Sequence, residues 1–225
     1  MRERYFSSHY LVFICRNSIN KSTSCNKMSE TGKRYFMLHK PTNMVSQFIG
    51  TEKVKLLGAI DFDFPEDTHA IGRLDSATEG LLLLTTDKRI TKLLFKSKVP
   101  HKRRYLVKVR YNVSEETLMK LRTGVTIHIH GGVDWVTSPC EAEIITDLTP
   151  YHITDETHAY SPYSWLLITL TEGKYHQVRK MVFALRHRCK RLIRVSIEDM
   201  ELGDLPAGKI KEFSEADFFR LLKIG

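Results

Sequence analysis

The chain has 225 residues, 42% hydrophobic and 27% charged, enough apolar content to build one sizeable globular domain with or without a small appendage. With 35 Lys+Arg against 26 Asp+Glu the net charge is +9 and the pI is about 9.4, a basic excess that points to a polyanionic partner, nucleic acid ahead of an anionic membrane surface. Cys15, Cys25, Cys140 and Cys189 show no Cys-x-x-Cys spacing and no clustering with histidine, which speaks against a zinc site or a disulfide framework and fits a reducing, cytoplasmic setting. No apolar run is long enough to cross a bilayer.

In chain order, residues 1–33 are rich in Ser, Asn, Lys and Arg and lack periodicity, so they read as a disordered or non-native arm. The short apolar core Leu11 to Cys15 lacks the length and cleavage pattern of a signal peptide, and Met28 stands as the expected true start. The catalytic domain is expected over 34–225. Arg34 to Leu38 reads as a strand closed by His39-Lys40-Pro41, and Val54 to Leu57 as one helical turn. Gly72-Arg73-Leu74-Asp75 then leads through a turn at Thr78-Glu79-Gly80 into a buried strand, Leu81 to Thr85. A helix is expected from Lys88 to Lys96, a strand from Arg103 to Val109, and a helix capped by Ser114 that runs to Arg122 and ends at Gly124.

Val125 to Ile129 and Glu141 to Ile145 read as strands around a Gly131-Gly132 turn, and 146–163 as an insertion loop. Trp165 to Leu170 is a strand, His176 to Arg186 a helix, Arg191 to Ile197 a strand, and Glu215 to Leu222 a closing amphipathic helix. Strands and helices mix without regular βα alternation, so the expected class is α+β, with a mixed and mostly antiparallel sheet.

Three constellations could carry chemistry. Asp75 is an acid between a basic residue, Arg73, and a buried strand; an Arg–Asp surface pair has the same pattern. His101-Lys102-Arg103-Arg104-Tyr105 joins cations to an aromatic, a combination suited to phosphates and an unpaired base. Gly173 to Met181 places Lys174, His176, Gln177, Arg179 and Lys180 at a helix start, where backbone N–H groups favour an anion; a solvated basic helix face reads the same way. Two lookalikes fail. Gly203 to Lys209 has phosphate-loop spacing, but Ile210 follows the lysine and Pro206 interrupts the loop. His128-x-His130 lacks a third ligand at a recognisable spacing, so no metal is expected.

Taken together, Gly72-Arg73-Leu74-Asp75, Thr78 to Thr85, Leu170 to Met181, Leu38 to Pro41, Leu192 to Val195, and Leu202 to Leu205 with Gly208 resemble the RsuA-type family of RNA pseudouridine synthases, in that family's order, over about residues 34–213. Within it the pattern is similar to the branch acting on large-subunit (23S) rRNA, which lacks a separate N-terminal RNA-binding domain.

The resemblance implies isomerisation of a uridine by a catalytic aspartate, Asp75. Tyr105 would stack on the target base and accept a proton, and Arg179 would supply the counter-charge paired with Asp75. Arg73 would contact the RNA backbone, as would Lys40, Lys102, Arg103, Arg104, Lys174, His176, Gln177 and Lys180. It implies no cofactor and no metal, a monomer, and RNA or an assembling large ribosomal subunit as partner. Arg103 replaces the usual lysine before the tyrosine, and Lys174-Tyr175-His176-Gln177 replaces Arg-Asn-Arg-Gln, which leaves target choice open. The same reaction on small-subunit rRNA or tRNA remains an alternative, as does a non-catalytic assembly factor.

Overall fold

Alternation and burial account for the central sheet. In the computed structural model, which describes residues 32–51, 53–95, 99–129, 131–155 and 162–225, β1 (Tyr35–Lys40) and β3 (Glu79–Thr85) are buried along almost their whole length. Because successive side chains in a strand point to opposite faces, each strand contributes to two cores. Tyr35, Met37, Leu81 and Leu83 pack on one face against Phe218 and Leu222 of α4 (Glu215–Leu222) and Ile90 and Leu94 of α1 (Arg89–Phe95). Phe36, Leu38, Leu82 and Leu84 face the other way, against Met44, Leu57 and Ile60. Further along, Val107 and Val109 of β4 (Arg103–Arg110) and Leu166 and Ile168 of β8 (Tyr163–Leu170) pack on Leu118 and Leu121 of α2 (Glu115–Thr123) and Val178, Met181 and Val182 of α3 (Gln177–Ala184).

With β7 (Glu141–Ile145), β9 (Cys189–Ile197) and β11 (Ile210–Phe213), the strand order is β11-β1-β3-β9-β4-β8-β7. β2 (His69–Ile71) pairs with β3, and β10 (Met200–Glu201) with β9. Among the described pairs only β3 and β9 run parallel, so the architecture is α+β with a mixed, mostly antiparallel sheet. Contacts group Lys33–Gly225 into one unit. The expectations for the arm and for Met28 fall almost entirely outside the described residues.

One edge of β3 is divided. Its end, from Leu83 to Thr85, pairs with β2, while its start, Glu79 and Gly80, pairs with Ile193 and Arg194 of β9. The segment joining β2 to β3, residues 72–78, therefore emerges where β2 gives way to β9. Gly80 makes this junction close: its φ is +104°, and a Cβ there would meet the Arg194 carbonyl oxygen at 2.3 Å.

Two sequence expectations need correction. Gly131-Gly132 turns β5 (Thr126–His128) into β6 (Asp134–Val136), a separate two-stranded ribbon, and β7 instead pairs with β8. Only three residues on each side pair, too short to give an alternating signal. The turn at Thr78 begins the strand earlier than expected, at Glu79, because Gly80 can lie flat against β9.

Candidate active site

Asp75 is held out by a loop fixed at several points. Ser46 is buried, and its hydroxyl accepts from Leu74 N and donates to Leu74 O, both at 3.0 Å. Lys40 Nζ donates to Ser76 O at 3.3 Å, and Arg179 Nη2 to Ala77 O at 2.8 Å. Thr78 N closes a turn onto Asp75 O at 2.9 Å. Backbone anchored on both sides of one residue presents its side chain in a fixed direction. Asp75 itself is half-buried, and among the described residues its one ion-pair contact within 4 Å is His176, with Nε2 3.4 Å from Oδ1.

The carboxylate opens on a cleft of about 310 Å³ lined by Arg73, Arg103, Tyr105, Lys174, His176 and Arg194, among others. Tyr105 lies opposite Arg194 in the β4–β9 register. Arg194 is 5% exposed; its Nε donates to Leu81 O at 2.8 Å, and its Nη2 has no hydrogen-bond partner among the described residues. Burial lowers its pKa, and the neighbouring Tyr105 acts in the other direction. A buried guanidinium with an unused donor beside Tyr105, in the lining of the cleft that Asp75 also lines, supplies positive charge from a low-dielectric environment.

The basic residues expected at the cleft divide into groups. Arg73, Arg103, Lys174, His176 and Gln177 line it, with Arg73 exposed at the rim. Arg103 is anchored on His101 O at 3.1 Å and Thr171 O at 2.9 Å. Strand alternation separates Lys102 and Arg104 from Arg103 and Tyr105. Lys102 pairs with Glu141 at 2.9 Å, Arg104 bonds Ser196 at 2.8 Å and Glu201 at 2.5 Å, and both border a different depression. Lys180 donates to His128 O at 2.7 Å. His128 pairs with Asp134, His130 lies outside the described residues, and no group of metal-ligating side chains exists among the described residues.

Lys40 is a correction to the expected RNA contact. It is fully buried, its ammonium donates to Pro41 O, Met44 O and Ser76 O, and burial pushes its pKa down to about 8 against the opposing pull of Glu79 and Asp75. It ties the end of β1 to the Asp75 loop from inside. Gln177 is also buried: it accepts from Lys174 N and donates to Glu172 Oε1, both at 2.8 Å, which shapes the entry to α3.

The expected ion pair between Asp75 and Arg179 is not formed. Arg179 spends its guanidinium on Ala77 O, with Thr78 Oγ1 at 3.5 Å and Cys189 Sγ at 3.5 Å, so it braces the loop that carries the acid. Arg194 is the residue sequence reasoning left without a role. Its signal was present: an arginine inside the apolar run Leu192 to Ile197, where a cation needs a reason to be buried.

The family described as RNA pseudouridylate synthase matches residues 34–184, two thirds of the chain, and this protein belongs to that family. Ribosomal large subunit pseudouridine synthase E of Vibrio vulnificus (strain CMCP6) is 34% identical over 87% of this chain and 81% of its own. Ribosomal small subunit pseudouridine synthase A of Salmonella typhimurium is 28% identical over 83% and 73%. A crystal structure of a pseudouridylate synthase superposes with a TM-score of 0.68 at 27% identity, covering 84% of this chain and 74% of the other. The protein is an RNA-modifying isomerase that converts uridine in RNA to pseudouridine. No described helix is long and apolar enough to cross a membrane.

Proposed function

We propose that the chain isomerises one uridine in large-subunit (23S) ribosomal RNA, with Asp75 as the catalytic carboxylate. The observation carrying the assignment is that several elements fix the backbone around Asp75 while its carboxylate, with only the 3.4 Å His176 contact among the described residues, faces the cleft. A structural acid would be consumed by hydrogen bonds.

The reaction breaks the N1–C1′ bond of uridine and forms C5–C1′; C5 loses its proton and N1 gains one, so no atom is added overall. A carboxylate serves this as nucleophile toward sugar or base, or as the base that starts elimination. Tyr105 stacks the extruded uracil, and its oxygen accepts the C5 proton as its own hydroxyl proton passes to solvent, from which N1 is protonated. Arg194, with its unused donor, stabilises negative charge on the detached base. Arg179 acts through the Ala77 carbonyl, as a positioning residue for Asp75. Arg73, Arg103 and Lys174 meet the phosphates around the flipped nucleotide.

The large-subunit target rests on the similarity to the Vibrio vulnificus enzyme, and similarity to a small-subunit enzyme keeps that substrate as the competing one. The protein acts as a cytoplasmic monomer. Pseudouridine mapping of both ribosomal RNAs and of tRNA tests this, using wild type, a deletion strain, and the deletion complemented with Asp75→Ala. The expected result is one 23S site lost on deletion and not restored by the variant. A lost site in small-subunit rRNA or tRNA overturns the target, and restoration by Asp75→Ala overturns the role of the acid.

A further inference from the structure

We infer that Tyr175 and His176 form a stacking platform for the RNA base next to the target uridine, a subsite that rests on Asp75 being the reaction centre. Tyr175 is 67% exposed at the cleft mouth. Its ring lies 3.8 Å from that of His176, with the planes 20° apart. His176 also joins this short ladder to the proposed reaction centre, with its Nε2 3.4 Å from Asp75 Oδ1.

The arrangement is built by the local backbone. His176 adopts φ 55° and ψ 29°, the left-handed conformation, and this brings two consecutive side chains face to face at the entry to α3. That conformation costs a residue with a Cβ about 1 kcal/mol and persists only where neighbours hold it. Gln177 N bonds Lys174 O and Lys180 N bonds His176 O, both at 3.0 Å, while the Gln177 side chain bonds Lys174 N. Strain of this kind gathers at ligand-binding positions, and here it accompanies a tyrosine ring left two-thirds exposed.

The surroundings fit a polyanion carrying flat bases. Lys180 Nζ is 5.4 Å from the Tyr175 ring centre, and Lys174 Nζ lies 3.9 Å from the Trp135 ring centre. Beyond His176, Arg179, Lys180 and Arg188 surround Phe183, itself 75% exposed, in a depression of about 280 Å³. Exposed aromatics among cations beside a cleft for an extruded nucleotide match the chemistry of single-stranded RNA, where bases stack and phosphates pair. The continuity of this strip with the Asp75 cleft places the flanking nucleotide on Tyr175.

The test uses the full chain and two probes, octauridylate and a chain of the same length in which abasic residues alternate with uridines, with affinities measured by fluorescence anisotropy at one salt concentration. Loss of a base stack weakens binding by about 5- to 150-fold. Tyr175→Ala is expected to lose affinity in that range for octauridylate and far less for the abasic chain, while Tyr175→Phe stays within about twofold and Tyr175→Trp matches or exceeds wild type. Equal binding of octauridylate by wild type and Tyr175→Ala overturns the subsite. So does equal loss on both probes, or equal affinity of wild type for both. The two readings separate cleanly: a stack present in the Asp75→Asn protein, together with an RNA map indifferent to Asp75, would leave the platform standing and remove Asp75 from the chemistry.

Discussion

Asp75 and Asp87 stand at the two ends of β3 and are used in opposite ways. Asp87 is 1% exposed and saturated: it accepts from Tyr35 Oη at 3.0 Å, from Arg89 N at 3.0 Å, and from the Arg89 guanidinium at 2.6 Å. The Arg89 hydrogen bonds hold its pKa down at about 2, and burial with the Asp87 contact raises that of Tyr35. Asp75 has its backbone fixed, and its carboxylate makes no hydrogen bond among the described residues and lies within 4 Å of His176 only as an ion-pair partner. A carboxylate with every lone pair committed supports the fold; one with lone pairs in reserve can act on a substrate. Both sit one turn away from the same apolar strand, so their sequence surroundings alone do not separate them.

The comparison breaks most sharply at Asp75. Asp75→Asn should lower isomerisation by at least about 10³-fold with little change in melting temperature or RNA affinity, measured as tritium release from [5-³H]uridine RNA alongside thermal melts. A parallel loss of stability and activity would make Asp75 a second Asp87. Arg194→Met should lower turnover on the order of 10²-fold, with stability unchanged or raised because a buried charge is removed. A strongly destabilised variant with normal turnover per folded molecule would assign Arg194 to the fold.

Asp87→Ala should destabilise by about 2 kcal/mol in urea melts, leaving Tyr35 Oη and the Arg89 guanidinium without their acceptor. Because the folded pKa of Asp87 lies below its unfolded value of 3.8, its stabilisation is present above pH 4 and is lost as the pH falls toward 2. Asp87→Ala should flatten that part of the acid limb. Arg179→Ala removes one donor to the Asp75 loop and should cost about 1 kcal/mol of stability and roughly tenfold in turnover, with partial rescue by Arg179→Lys. A pH dependence at the alkaline end belongs to Lys40. Its folded pKa of about 8 lies below the unfolded 10.5, so the unfolded chain binds the extra proton between those values and stability should rise with pH across that window. A Lys40→Met chain should lack that rise.

Much of the fold was legible because apolar strands and capped helices carry local signals. Ser114 caps α2, accepting from Thr117 N as its spacing predicts, and α4 occupies Glu215–Leu222 as read. β2, β6, β10 and β11 were missed because each is two to four residues long and its pairing partner is remote or brief. The site was legible where it is contiguous: Arg73, Asp75, Lys174, His176 and Tyr105 meet at one cleft. It was illegible where direction matters. The run His101 to Arg104 reads as one basic cluster, yet the pleat sends its members to different faces, and the burial of Lys40 depends on carbonyls from three separate positions. The choice between Arg179 and Arg194 as the cleft's buried cation is decided by the β3–β9 junction, which has no local signature.

That junction also sets the order in which the molecule becomes competent. Arg194 reaches Leu81 across 113 residues of chain, and the parallel pairing beside it is the slow kind of closure that local helices and hairpins precede. Neither the Arg194 side of the cleft nor the cation opposite Tyr105 is in place until β9 has been synthesised and inserted between β3 and β4. Catalytic activity thus becomes a readout of completed folding, because the cleft is whole only with β9 in place between β3 and β4.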